Sequence, residues 1–279
     1  MLKQRVVTAL ILSLVAVGAM LWSPFAFAVV ATAVMGLALA EWLRLAGASQ
    51  ALSIGLALVV SAALLASVLL TPNARAFVTS VVVPLSVLAS AIWLLLAIVL
   101  VQPNVMAIKL PRPLGMALAL VLVFAAWFAL IRFLFDGMVM LLSVLFIVWI
   151  ADTAAYFAGR AFGRRKLAPH ISPGKTWAGV AGAVAAVLLT ALIVQQLASD
   201  ASIYSNRLFA ANGGLLALLL LAWLVAMSVI GDLFESLLKR QAGVKDSGQL
   251  LPGHGGVLDR VDALVPVLPA AVLIQWLIR

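Results

Sequence analysis

Charge is scarce in this chain, and the residues best suited to chemistry gather towards its C-terminal end. Asp232, Glu235, Asp246, Asp259 and Asp262, five of the nine acidic residues, lie between Gly231 and Asp262. The same stretch holds Lys239, Arg240, Lys245 and Arg260, together with His254 inside Pro252-Gly253-His254-Gly255-Gly256. On a helix, Asp232, Ser236 and Lys239 fall at i, i+4 and i+7 and share one face. Asp259 and Asp262 are three residues apart, so a second helical turn can aim both carboxylates at one point. Gly253, Gly255 and Gly256 allow a tight backbone between them, whose amides can approach an anion. Hard oxygen ligands from two or more aspartates, with lysines and an arginine nearby, suit Mg²⁺ carrying a polyphosphate. That ion usually takes only one or two protein carboxylates and leaves its remaining positions to phosphate oxygens and water.

A second constellation lies upstream. Asp152 and Tyr156 are at i and i+4, followed by Gly159-Arg160, Gly163-Arg164-Arg165-Lys166 and Ser172-Pro173-Gly174-Lys175-Thr176-Trp177. Ser172-Pro173-Gly174 reads as a turn into a helix, which places Lys175 and Thr176 near an N-terminus where free amides and the helix dipole favour an anion. Asp152 sits within an apolar run, where an unpaired acid is costly, so a functional role is expected of it. Other charges have plainer readings. Arg164, Arg165 and Lys166 are as well explained by orientation in a membrane as by substrate. Glu235 and Lys239 have the spacing of a helix-surface pair. Glu41 with Arg44 is expected as a structural or interfacial pair, and Asp136, Asp200 and Arg207 as loop residues on the far side of the membrane.

The elements that must position these groups are transmembrane helices. The chain has 279 residues, of which 66% are hydrophobic and 10% charged, against about 25% charged in soluble domains. Nine apolar runs, near 5–22, 25–43, 51–70, 77–101, 114–134, 138–158, 176–198, 213–235 and 263–278, approach or reach spanning length. Lipid offers the backbone no hydrogen-bond partner, so an all-α polytopic membrane protein is expected. Residues 1–135 would form about five N-terminal helices and 136–279 the catalytic region. Lys3, Arg5 and Ala26-Phe27-Ala28 have the look of a cleaved leader, but the apolar sequence continues well beyond, so a retained first helix is expected. With the N-terminus inside, only Arg75, Arg132, Arg207 and Arg279 of the eighteen basic residues face outwards, which puts both polar loops in the cytoplasm. The absence of cysteine excludes disulfides, thiolate metal sites and a cysteine nucleophile. The net charge of +9 resides in short loops between apolar runs, where it meets anionic headgroups and phosphates rather than nucleic acid.

The run Ser236-x₂-Lys239-Arg240-x₄-Lys245-Asp246-x-Gly248-x₂-Leu251-Pro252-Gly253-His254-Gly255-Gly256-x₂-Asp259-Arg260-x-Asp262 resembles the signature of phosphatidate cytidylyltransferases. Asp152-x₃-Tyr156-Phe157-x-Gly159-Arg160 and Ile171-Ser172-Pro173-x-Lys175-Thr176-Trp177 are similar to a second region of that family. The resemblance covers roughly the C-terminal half; Gly174 and Ala178 depart from a common form of it. It implies that CTP and phosphatidic acid react to give CDP-diacylglycerol and pyrophosphate, with Mg²⁺ and room for a second cation. It further implies Asp232 and Asp259 as first choices for metal ligands, with Asp262 and Asp246 next. Lys239, Lys245, Arg260 and Lys175 would hold triphosphate or lipid phosphate, among substrate contacts that include Ser172, Thr176, Arg240, Ser236, Asp152 and Tyr156. His254 would donate to the leaving pyrophosphate or shape the glycine turn. The expected location is a bacterial inner membrane, with the active site on the cytoplasmic side and a homodimer allowed for. A secondary transporter is the rival class, opposed by acids that cluster at one end of the chain with no mirroring half.

Overall fold

A computed structural model describes residues 11, 14–102, 104–198, 200–251, 253 and 255–278. Its helices are α1 (Pro24–Leu45), α2 (Gln50–Leu69), α3 (Ala74–Leu100), α4 (Arg112–Asp136), α5 (Met138–Phe162), α6 (Trp177–Leu197), α7 (Tyr204–Gln241), α8 (Leu258–Val261) and α9 (Leu264–Leu277). Residues 14–22 are helical as well. Among the described residues, eight helices are long and apolar enough to cross a membrane, α8 and α9 counting as one run. Residues 5–10, 12 and 13 of the span expected at 5–22 lie outside the described residues, as does His254.

Local chemistry sets the helix boundaries. Ser23 caps α1 by accepting from the Ala26 amide, with Pro24 at the first position, and Thr176 caps α6 by accepting from the Gly179 amide at 3.1 Å. Gly137, at φ 124°, turns the chain between α4 and α5. The span expected to begin at 213 is the longer part of α7, because Gly213 breaks that helix with φ 71° and ψ 175°. Beyond 235 the helix continues to Gln241, and this carries Ser236 and Lys239 with it.

In lipid, helices gain little from burying apolar surface, so close packing and satisfied polar groups hold them together. α5 and α6 meet across small residues: a Cβ at Gly179 would lie 2.9 Å from the Ala155 carbonyl oxygen, and one at Gly182 would collide with Ala158. Trp127 Nε1 donates to Thr32 Oγ1 at 2.9 Å, and the Tyr204 hydroxyl donates to the Ala271 carbonyl at 2.8 Å. At the end away from the polar loops, Arg132 pairs with Asp136 across one helical turn, and Gln275 Nε2 donates to the same carboxylate at 3.4 Å. Arg132 is buried, and Asp136 is not the loop residue expected but ends α4 with 12% of its side chain exposed, because α9 packs beside α4.

One further element departs from the expectation of helices alone. β1 (Lys166–Ala168) and β2 (Ser172–Thr176) pair antiparallel, with Lys166 opposite Thr176 and Ala168 opposite Ser172. The step expected as a turn at Ser172-Pro173-Gly174 is therefore strand. Between the two pairs β1 contributes one residue and β2 three, so Pro173 and Gly174 fall in an irregular stretch that does not need proline's missing N–H. Ile171, at the hairpin's tip, is buried with Val105, Leu233 and Leu237, and Arg240 Nε donates to its carbonyl at 3.4 Å. These contacts pin the hairpin to α7.

Candidate active site

Loops 46–49, 101–111, 163–176 and 242–257 lie at one end of the bundle, and the charged residues converge there. The hairpin delivers Lys175, whose Nζ stands 2.6 Å from Asp232 Oδ2 on α7. Two turns further along α7, Lys239 Nζ lies 2.5 Å from Glu235 Oε2 and 2.5 Å from Asp259 Oδ1. Carboxylate oxygens of Asp232, Glu235 and Asp262 come within 4.8 Å of one another. Asp152 faces this group from α5, hydrogen-bonded to Ser228 and interacting with the charges of Asp232 and Lys175. Gly231 permits α7 to approach the chain beyond α8, since a Cβ there would lie 2.7 Å from Pro266 Cγ and would meet the Asp262 carbonyl.

The cluster is graded in exposure. Asp232 has 39% of its side chain exposed and Lys175 22%, whereas Lys239, Asp259 and Glu235 have 13%, 9% and 4%. The opening is therefore at Asp232, beside which the Lys175 ammonium nitrogen is itself buried. Glu235 and Lys239 form the expected i, i+4 pair, but not at a surface: the segment from Leu258 to Asp262 lies against them, Glu235 is buried and Lys239 is only 13% exposed. Among the described residues, the carboxylates of Asp152, Asp232, Glu235, Asp259 and Asp262 outnumber the ammonium groups of Lys175 and Lys239 that pair with them. Such a surplus at the edge of a low-dielectric bundle has to be neutralised by protons or a bound cation. Asp232, Glu235 and Asp262 are the residues that could hold one.

Asp259 is differently placed from the other acids. Its Oδ2 accepts from the Ser247 amide at 3.0 Å and the Gly256 amide at 2.8 Å, with Ser247 Oγ also 3.0 Å away, while Oδ1 meets Lys239. The tight loop that supplies these donors turns at Gly255, with φ 82°, where a Cβ would sit 2.8 Å from Asp259 Oδ2. Asp246 and Lys245 are exposed on this loop, Asp246 beside Gly255. Ser236 stays with Asp232, its hydroxyl 3.5 Å from Oδ1. Arg240 is exposed and holds the hairpin, and Arg260 is exposed one residue beyond Asp259. Tyr156 is exposed and accepts from Arg160 at 3.1 Å. Ser172 is half-buried on β2, and Thr176 is buried with its hydroxyl engaged in capping α6.

Two participants escaped the sequence reading. Ser247 has no charge and no periodicity to betray it. Glu41 does not pair with Arg44 in the manner expected: its Oε2 accepts from the Ser247 hydroxyl and from the Leu258 amide, both at 2.8 Å. The signal available was a single acid in the last turn of an otherwise apolar span. A groove of about 420 Å³, lined by Val139, Phe146, Ile150, Val187, Val194 and Leu221 among others, lies on the apolar flank of α5–α7 and includes none of these carboxylates.

Fold and site together define an integral membrane protein that presents carboxylates and lysines, in the combination suited to phosphate chemistry, at one end of a helical bundle. The sequence matches the cytidylyltransferase family over residues 3–278, and the chain belongs to that family. It is a nucleotidyltransferase. It is 39% identical over 284 residues to the phosphatidate cytidylyltransferase of Pseudomonas aeruginosa, covering 99% of this chain and 97% of that protein. Over 136 residues it is 48% identical to the phosphatidate cytidylyltransferase of Haemophilus influenzae, covering 48% of this chain and 45% of the relative. The protein of the same name from Bacillus subtilis is 43% identical over 123 residues, 44% of this chain and 42% of its own length.

Proposed function

We propose that this protein transfers CMP from CTP to phosphatidic acid, releasing pyrophosphate and leaving CDP-diacylglycerol in the membrane. The observation that carries this reading is the surplus of carboxylates closing on one point beside two lysines at the end of a membrane bundle. It is supported by relatives bearing the name of that activity. A lipid phosphate oxygen forms a bond to the α-phosphorus of CTP, and the bond from that phosphorus to the bridging oxygen of the β-phosphate breaks. Phosphatidate is already ionised near neutral pH, so no side chain has to remove a proton from it. The protein's work is to align two anions in line and offset their charge.

Asp232, Glu235 and Asp262 would hold Mg²⁺, which when bound offsets phosphate charge and orients phosphate oxygens. The three carboxylate oxygens lie within 4.8 Å of one another and would have to draw in around such an ion, which holds its oxygens at about 2.0–2.1 Å. Asp259 was expected in that set, but both its oxygens are already engaged, and its role in the proposal is to hold Lys239 in place. Lys175, paired with Asp232 just inside the opening, meets a substrate phosphate that enters beside that carboxylate. The polar end faces the cytoplasm of a bacterial inner membrane, on the strength of the basic residues concentrated there.

The test is purified protein given labelled CTP, phosphatidate and Mg²⁺, with dCTP, ATP and GTP as competing nucleotides and an isoprenoid-ether phosphate as an alternative lipid. CDP-diacylglycerol and pyrophosphate in equal amounts are expected. No nucleotidyl transfer to any lipid phosphate overturns the proposal.

A further inference from the structure

We propose that Glu41, on an N-terminal helix 206 residues from the loop it touches, is a positioning residue that clamps the glycine loop and thereby sets Asp259 against Lys239. The inference rests on the reading of the site given above. Glu41 is 4% exposed and lies one turn from the end of α1. A carboxylate removed from water is costly unless donors meet it. Here Oε2 takes the Ser247 hydroxyl and the Leu258 amide, each at 2.8 Å. Leu258 is the first residue of the helical run that carries Asp259 and Asp262, and its amide is one that no helical carbonyl can satisfy. Glu41 therefore fixes where that run begins.

The same oxygen is one residue removed from the chemistry. Ser247, held by Glu41, donates its amide to Asp259 Oδ2 and accepts from the Asp259 amide at 3.3 Å. Two loop glycines acquire a reason. A Cβ at Gly248 would fall on Glu41 Oε1, and one at Gly256 would fall on both Ser247 Oγ and Glu41 Oε2. Glycine at these positions thus admits the carboxylate into the loop. The α1 helix is not only a membrane anchor: it completes the shell around a residue at the far end of the sequence.

Two substitutions separate a clamp from a charge or a packing role. Glu41→Gln keeps an oxygen in reach of both donors and removes the charge. Glu41→Asp keeps the charge and withdraws the oxygens by one methylene. For full-length protein in detergent, kcat per folded molecule, KM for CTP and amide exchange across 247–258 are measured. Glu41→Asp is expected to lower kcat about 10–100-fold, the usual cost of disturbing a supporting shell. KM for CTP stays constant and the loop amides exchange faster. Glu41→Gln is expected to lose several-fold less. Wild-type kcat in Glu41→Asp, or an equal loss in both variants, overturns the proposal. Should Glu41→Asp fail to fold, Ser247→Ala decides, because wild-type kcat there would remove the link to Asp259. If the wild-type protein forms no CDP-lipid, the activity reading fails, while the exchange measurement still decides the clamp.

Discussion

Lys239 Nζ stands 2.5 Å from Asp259 Oδ1, joining the end of α7 to the short helix that follows the glycine loop. Glu235 Oε2 lies at the same distance on its other side. One ammonium group thus serves two largely buried carboxylates that are 24 residues apart in the chain, and it holds together the two segments that carry the site.

Removing that ammonium should be costly. Lys239→Ala leaves Glu235 and Asp259 without their shared cation, and breaking a buried ion pair from one side typically costs about 3–5 kcal/mol. A clear fall in the thermal midpoint in detergent is expected, together with loss of turnover in the folded fraction. An unchanged midpoint with unchanged kinetics would return Lys239 to a surface role.

The acids should divide by their response to Mg²⁺. Asp232→Asn, Asp262→Asn and Glu235→Gln are expected to lower activity by at least about 10–100-fold, the range set even by outer-shell changes at metal sites. They should also raise the Mg²⁺ concentration needed for half-maximal rate. Asp259→Asn should lose turnover, to below about a tenth of wild type on the same comparison, with that Mg²⁺ concentration unchanged. A Mg²⁺ titration of each purified variant checks this, and a shifted Mg²⁺ requirement in Asp259→Asn would place it back among the ligands.

Lys175→Ala removes the ammonium that pairs with Asp232, the carboxylate at the opening of the cluster. A charge-assisted hydrogen bond to phosphate is worth about 1.5–3 kcal/mol, so KM for CTP or for the lipid should rise roughly 10–100-fold. Steady-state kinetics with each substrate varied in turn will show which one Lys175 meets; no change in either KM would confine it to neutralising Asp232.

The opposite end of the bundle offers a control. Arg132→Met strands the largely buried Asp136 and is expected to destabilise by about 3–5 kcal/mol, whereas Arg132→Met with Asp136→Leu should recover most of that loss. KM values should not move in either variant. Thermal unfolding of both in one detergent measures the difference, and equal destabilisation by both would mean that the pair does not act as a unit.

Orientation can be read with a thiol, because the chain has no cysteine. Lys245→Cys, on the exposed loop, should react with a membrane-impermeant maleimide in inverted vesicles and stay protected in right-side-out ones. The reverse pattern would put the site on the outer face.

Sequence alone determined the membrane class, because runs of apolar residues as long as a bilayer is thick leave the backbone no alternative to helix. It determined the members of the polar cluster almost as fully, since a charged residue in such a chain is conspicuous: Asp152, Lys175, Asp232, Lys239, Asp259 and Asp262 were all found by type and spacing. Which of them meet was beyond its reach. Helical periodicity places Glu235 beside Lys239 but does not tell whether the segment beyond the glycine loop will cover the pair, nor that a hairpin anchored by Ile171 will bring Lys175 to Asp232. Glu41 and Ser247 meet across 206 residues, through the packing of α1 on the loop, and no local pattern records a contact of that kind. Spacing along a chain governs which residues share a face; only the packing of one face on another decides which charges are partnered, which are sealed from water and which are left open to a substrate.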